Sequence, residues 1–167
     1  AITVSTAALM ATRSVSLRAA HSRDIAAVDT VMAAAFDPRF GEAWTRGQVL
    51  GVLAMPGVRL TLAELDGEPA GFALVRTVLD ETELLLLAVT PTHRRHGIGT
   101  ALLRSVIADA QAVGTARMHL EVRAGNDAGR LYTRHGFAKS GERRGYYRSR
   151  TGTAHDAHSF TLDLAER

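Results

Sequence analysis

The 167-residue chain contains no cysteine. That absence excludes a disulfide framework, a thiol nucleophile and a cysteine-ligated metal, and it suits a reducing cytoplasm, the expected location. No run approaches the ~20 consecutive apolar residues that a membrane-spanning helix requires, so no membrane partner is expected. Aromatic residues amount to 5%, no stacking pattern or nucleic-acid motif is present, and no direct nucleic-acid binding is expected. Excess charge is also scarce. Lysine and arginine number 20 against 17 acids, a net +3, which suits a small anionic ligand. Repeats and low-complexity tracts are missing. What is there is 46% hydrophobic, enough for one globular domain with a real core, expected over 15–167. Residues 1–14 are small, polar and unpatterned and lack the apolar centre of a secretory signal. They read as a flexible tail, with Met10 a candidate natural start.

The most informative stretch runs from Leu84 to Thr100. Leu84-Leu85-Leu86-Leu87-Ala88-Val89 is an uncharged apolar run and predicts a strand buried on both faces. Pro91 ends it, because proline donates nothing to a sheet ladder. His93-Arg94-Arg95-His96-Gly97-Ile98-Gly99-Thr100 follows, and then Ala101, Leu102, Leu103, Val106, Ile107 and Ala110 recur at helical spacing. Strand, basic glycine-containing loop and helix in that order make an anion cradle. The first amides of a helix lack intrahelical partners, and glycine lets a ligand approach the backbone. A phosphate or pyrophosphate is the expected guest. No lysine follows Gly99, which excludes a P-loop, and the Gly97-x-Gly99 pair lies mid-chain without the third glycine of a dinucleotide fingerprint. The competing reading is a plain strand–turn–helix with a solvated basic turn.

Periodicity organises the rest. Val15–Arg18 reads as a first strand. Asp24 is placed to cap a helix with Ile25, Val28, Val31, Met32 and Ala35 inward. A loop spans Phe36–Ala43, and Thr45 caps a short helix with Val49, Leu50 and Leu53 inward. Strands over Arg59–Leu65 and Ala70–Val78 flank an Asp66-Gly67 hairpin turn. Strand Thr82–Val89 then leads through the cradle into a helix over Gly99–Ala112, stopped by Gly114. Met118–Val122 alternates around Glu121 as a strand, and Asn126 opens a short helix carrying Leu131-Tyr132 and closed by Gly136-Phe137. Two strands complete the chain, near Ala138–Arg143 and His158–Leu164. The order βααβββαβαββ predicts a mixed α/β domain with helices on both sheet faces. Glu121 stands out, since a carboxylate on an interior strand is costly without a partner or a role. Pairing with Arg123 or Arg143 is the structural alternative. His155 and His158 lack cysteines or clustered carboxylates around them, so no metal is expected.

The cradle Arg94-x-x-Gly97-x-Gly99 after a strand ending Val-x-Pro resembles the acetyl-CoA loop of the GNAT N-acetyltransferase superfamily. The later order Leu120-Glu121-Val122-Arg123, Asn126, Leu131-Tyr132, Gly136-Phe137 is similar to that superfamily's C-terminal half. Arg143-Arg144-x-Tyr146-Tyr147 and Asp156-Ala157 are similar to the branch that acetylates N-terminal alanines of bacterial ribosomal proteins. The resemblance spans roughly Val15–Leu164 and is specific from Leu84 onward. It implies a mostly antiparallel sheet whose strands holding Val89 and Glu121 splay around the cofactor. It implies acetyl-CoA as co-substrate, bound by Leu87, Ala88, Val89, Arg94, Arg95, His96, Gly97, Ile98, Gly99, Thr100 and Asn126. Glu121 is then the general base, with Glu83 on the preceding strand its rival, and Tyr132 the general acid. Trp44, Tyr146 and Tyr147, the tyrosines on a loop before the last strand, become acceptor-binding candidates, although packing explains them equally well. The family spacing from Asn to Tyr is seven, and Asn126 to Tyr132 is six, which puts the Asn126 contact in question. The implied acceptor is a protein N-terminus, the N-terminal alanine of a small-subunit ribosomal protein. The alternatives are a GNAT enzyme acting on small-molecule amines or lysines, and a non-catalytic acyl-CoA-binding regulator.

Overall fold

The computed structural model describes residues 14–94 and 96–165. Seven strands form one sheet in the order β1-β2-β3-β4-β5-β7-β6. They are β1 (Val15–Ala20), β2 (Val58–Leu65), β3 (Glu68–Val78), β4 (Glu81–Val89), β5 (Arg117–Arg123), β6 (Ala138–Arg148) and β7 (Ala154–Asp163). Every neighbouring pair is antiparallel except β4 and β5. Among the described residues four α-helices accompany the sheet: α1 (Ile25–Ala35), α2 (Arg46–Leu53), α3 (Ile98–Ala112) and α4 (Ala128–Arg134). The predicted element order is the observed one. Among the described residues, no helix is long and apolar enough to cross a membrane. The expected tail falls outside the described residues up to Arg13. Its last member, Ser14, is tied to the β2–β3 turn, donating to the Asp66 carboxylate and accepting from the Asp66 amide.

Two apolar clusters sandwich the sheet. On one side α1 and α2 cover Leu60, Leu62, Phe72, Leu74 and Leu86. On the other, α3 packs Ile98, Leu102, Leu103, Val106 and Ala110 against Ala73, Val75, Leu84 and the β5 residues Met118, Leu120 and Val122. The α3 spacing puts these five on one stripe, as an amphipathic helix on a sheet requires. Asp66 and Gly67 both adopt positive φ, 53° and 82°, the two-residue hairpin turn whose twist matches its strands. Thr45 caps α2 as expected, its hydroxyl accepting from the Gln48 amide while the Gln48 side chain accepts from the Thr45 amide. Asp24 differs from expectation. It precedes α1 but makes no side-chain cap, because its carboxylate turns back to accept from the His21 amide and from Arg18, both at 2.9 Å. The Arg18 guanidinium, its foremost cause, holds that carboxyl low, at about 2.

β4 departs from the simple apolar run in an instructive way. Leu74 of β3 faces Leu86 while Val75 faces Leu84, so Leu85 is an extra residue in β4. Such a bulge interrupts the alternation and sharpens the local twist. Leu84 therefore joins the α3-side core, whereas Leu86 joins the α1-side core. At the same point β4 leaves β5. The two strands pair only over Glu81–Leu84 and Arg117–Leu120, and beyond them the sheet opens.

Close packing fixes the β3–β4 contact behind this opening. A Cβ at Gly71 would lie 2.7 Å from the Ala88 carbonyl oxygen and 3.2 Å from both Ile98 and Leu102 side chains. Gly71→Ala is expected to lower stability by about 1–3 kcal/mol, the usual range for overpacking. Urea unfolding monitored by circular dichroism checks it, with a lower midpoint at unchanged slope.

Candidate active site

The cleft where β4 and β5 part is narrow, about 90 Å³, and draws its lining from both sides of the sheet. Glu83, Leu85, Leu87 and Glu121 come from the two strands, Phe36, Glu42 and Trp44 from the α1–α2 connection, Tyr132 from α4, and Tyr146 and Tyr147 from β6. Leu120 and Val122 face the α3 side, so strand alternation turns Glu121 to the α1 side. Tyr132 belongs to the α3-side cluster. The carboxylate and the phenol thus approach one gap from opposite faces. A gap in the sheet is what lets them share a cleft.

Glu121 is mostly buried, its side chain 17% exposed. One oxygen accepts from the Ser159 hydroxyl at 2.6 Å, and the other lies 3.8 Å from the Arg143 guanidinium. Arg123, the other pairing considered, binds Glu42 instead. Glu83 lies on the same face, at the register position of His119 and 3.9 Å from its ring, and is 39% exposed. Tyr132 is buried, edge-on to Phe137 at 5.8 Å between ring centroids. Burial first, and then the charge of Glu42, push its phenol well above the ordinary range. It therefore keeps its proton at any physiological pH.

The tyrosine pair sits on β6 and not on a loop. Arg143 pairs with Ala157 and Tyr147 with His155, so the Arg144–Tyr146 segment bulges out of the ladder. Gly145 takes φ 61° there, and its amide donates to the Asp156 carboxylate at 2.9 Å. This explains why Arg-Arg-x-Tyr-Tyr and Asp-Ala occur together: the aspartate holds the bulge, and Ala157 is fully buried beneath it. Tyr147 donates to the Glu121 carbonyl at 3.2 Å. Tyr146 is 44% exposed, edge-on to Tyr147 and covered by the Arg143 guanidinium at 4.6 Å.

The cradle begins at the end of β4. Thr90 is buried and fixed by the Ala70 carbonyl, and its hydroxyl bonds His93. Gly97 caps α3 at φ 73°, and the amides of Ile98, Gly99 and Thr100 form the open first turn. The Ile98 side chain is in the core, so only its backbone is available to a ligand. Gly99 faces Leu131 of α4 and Val89 of β4, which brings the cradle beside the cleft. Arg94 reaches away, donating to the Ala35 carbonyl at the end of α1. His96 is exposed, and Arg95 lies outside the described residues. Asn126 lines the cleft, but its carboxamide is already engaged, accepting from the Ala128 amide at 2.9 Å and donating to Glu42 at 3.0 Å. Among the described residues, no group of three or more His, Asp or Glu is placed to hold a metal ion.

Sequence reasoning missed three participants. Glu42 carries no pattern that separates it from any loop acid. Ser159 meets Glu121 only through the β5–β7 register, and the Leu85 bulge only through the β3–β4 register.

Residues 29–137 match the Acetyltransferase (GNAT) family. The chain is similar to the [ribosomal protein bS18]-alanine N-acetyltransferase of Escherichia coli K12, 42% identical over 88 residues, covering 52% of this chain and 60% of that protein. Its similarity to the Haemophilus ducreyi protein of the same name extends further, 35% over 122 residues, or 72% of this chain and 83% of that one. In three dimensions it is similar to the crystal structure of the ribosomal-protein-S18-alanine N-acetyltransferase from Escherichia coli, with a TM-score of 0.80 and 29% identity over 91% of this chain and 95% of that one.

The cradle makes a direct prediction. A branched side chain at Gly97 is strained at positive φ and alters the backbone entering the open first turn of α3, while one at Gly99 crowds the space toward Leu131. Gly97→Val and Gly99→Val are each expected to abolish CoA binding in calorimetry while preserving the circular dichroism spectrum. Unchanged affinity in both variants would mean that the anion is held elsewhere.

Proposed function

The chain belongs to the acetyltransferase (GNAT) family, and on that premise we propose that it transfers the acetyl group of acetyl-CoA to the N-terminal α-amine of a protein. The observation that carries this reading is the meeting of Glu121 and Tyr132 across one gap from opposite faces of the sheet. An ammonium has no lone pair, so one group must take a proton before the amine can attack. A departing thiolate needs a proton, so another group must supply one. A carboxylate on the acceptor side and a protonated phenol on the cofactor side meet both needs.

In the proposed reaction the α-ammonium loses a proton to Glu121, directly or through water, and the neutral amine attacks the thioester carbonyl. The C–N bond forms and the C–S bond breaks. Tyr132 gives its proton to the sulfur, releasing CoA as the thiol, and is reprotonated from solvent. Ser159 keeps the Glu121 carboxylate aimed at the cleft. Backbone N–H groups of β4 near Val89, unpaired with β5 beyond Leu84, polarise the carbonyl. The amides of the first turn of α3 hold the CoA pyrophosphate. Leu87, Ala88 and Val89 offer backbone groups to its pantetheine arm. Trp44, Tyr146 and Tyr147 wall the acceptor side.

Similarity to the bS18-alanine enzymes makes the N-terminal alanine of a small-subunit ribosomal protein the proposed substrate. A panel of N-terminal peptides incubated with acetyl-CoA and read by mass tests this, with alanine-initiated peptides expected to gain a single acetyl group at the α-amine. Acetylation of internal lysines alone, or of small amines alone, would redirect the reading. CoA binding without any transfer would instead make the protein a regulator.

The two catalytic assignments have separable signatures. Glu121→Gln is expected to lower turnover on the order of 10²–10⁴-fold with little effect on acetyl-CoA affinity. Normal turnover there, beside an inactive Glu83→Gln, would transfer the base to β4. Tyr132→Phe keeps the ring packing and removes only the proton. It should bind acetyl-CoA normally and lose turnover, because the donor acts in the transition state. The raised phenol also predicts that wild-type turnover holds through pH 10 and does not fall where an ordinary tyrosine ionises. A pH–rate profile checks this.

A further inference from the structure

Glu42 is a carboxylate with 9% of its surface exposed, in a connection between two helices. Burying such a charge is costly unless partners fix both oxygens. Here both are fixed. Oε1 accepts from Arg123 Nε and Oε2 from Asn126 Nδ2, each at 3.0 Å. The partners are themselves constrained. Arg123 lies 3.7 Å over the Phe40 ring and donates to the Ala124 carbonyl. The Asn126 oxygen accepts from the Ala128 amide, which obliges its nitrogen to face Glu42.

These bonds join segments 81 and 84 residues apart in sequence. On one side is the α1–α2 connection, and on the other the end of β5 and the turn that follows it toward α4. Both belong to the rim of the gap where the sheet opens. Two further contacts hold the same connection. Gly41, at φ 67°, lies so close to the end of β6 that a Cβ would be 2.1 Å from the Arg148 carbonyl oxygen. The His155 ring meets the Arg39 carbonyl at 3.2 Å and the Phe40 ring edge-on. Phe36, Glu42 and Trp44 from this connection line the cleft.

Resting on the acetyl-transfer reading above, we infer that Glu42 is a positioning residue that latches the Asp37–Trp44 connection across the cleft and so holds the wall against which the acceptor's first residue packs. It touches neither the sulfur nor the attacking amine in this assignment. Its effect runs through the connection. Loosening the latch therefore weakens acceptor binding more than it alters the chemical step, and it leaves cofactor binding largely intact.

Glu42→Gln and Glu42→Ala test this in the full chain. Gln keeps the shape and an acceptor for Arg123, but its amide meets the Asn126 amide donor to donor. Loss of a hydrogen bond to a charged group is expected to speed amide hydrogen exchange over residues 37–44 by about 10-fold or more, with β2 and β3 unchanged. Asn126→Ala should loosen the same amides from the other partner. The Michaelis constant for an alanine-initiated peptide is expected to rise about 10-fold in Glu42→Gln, well beyond any change in kcat, while the constant for acetyl-CoA stays within about twofold. Unchanged exchange in both Glu42→Gln and Asn126→Ala would overturn the latch whatever the activity. Faster exchange with an unchanged peptide constant would overturn the positioning role. If wild type acetylates no peptide, the proposed function falls, and hydrogen exchange still upholds or overturns the latch. If Glu42→Ala does not fold, the isosteric Gln variant carries the comparison.

Discussion

Pairing between β4 and β5 stops at Leu84 and Leu120, and most of the cleft follows from that stop. A continuous sheet separates its two faces completely, so groups on opposite sides never meet. Parting the central strands removes that barrier at one place. It also leaves the second half of β4 hydrogen-bonded on one side only, with backbone groups free to receive a ligand as if it were a further strand. The parting is stabilised from behind. Gly71 lets β3 approach β4 and α3 closely, and the extra residue Leu85 turns β4 away while keeping leucines packed on both faces.

The sequence exposes those parts of this arrangement whose physics is local. The apolar run into Pro91, the Gly97-x-Gly99 turn and the stripe of α3 are each fixed by neighbours within a few residues, and their boundaries agree with the structure to within a residue. Glu121 is legible because an acid among Leu120 and Val122 contradicts its strand. Other features depend on register or on distant partners. Leu85 becomes a bulge only through β3, and Glu42 acquires meaning only from Arg123 and Asn126. Asp24 has the residue type and position of a cap, but Arg18 and the His21 amide compete for its carboxylate and win. The sequence places the tyrosine pair on a loop, because the bulge that keeps it within β6 depends on the register with β7. In the structure Gly145 supplies a bulge inside a longer strand.

Asn126 shows where the shortened spacing to Tyr132 leaves a carboxamide. Tyr132 lies six positions after it, and the helix that carries the phenol begins only at Ala128. Within that turn the carboxamide accepts from the Ala128 amide on one side and donates to Glu42 on the other. Both of its functional groups are satisfied by the protein itself. The phenol keeps its place regardless, because the aromatic contacts with Phe137 and Phe160 anchor the ring independently of the turn.

The Arg144–Tyr146 bulge has a consequence for the protein as a solute. β6 ends the sheet and is mostly exposed, and a long free edge invites a second chain to add itself strand by strand. Here the edge is interrupted where Gly145 turns out to meet Asp156. Arg143, Arg144 and Arg148 add positive charge along its second half, while Lys139 pairs with Glu142 in the first. A second copy approaching this edge meets a broken hydrogen-bonding row and like charge, both of which oppose aggregation. The distortion that presents the tyrosines to the cleft thus also interrupts the outer edge of the sheet.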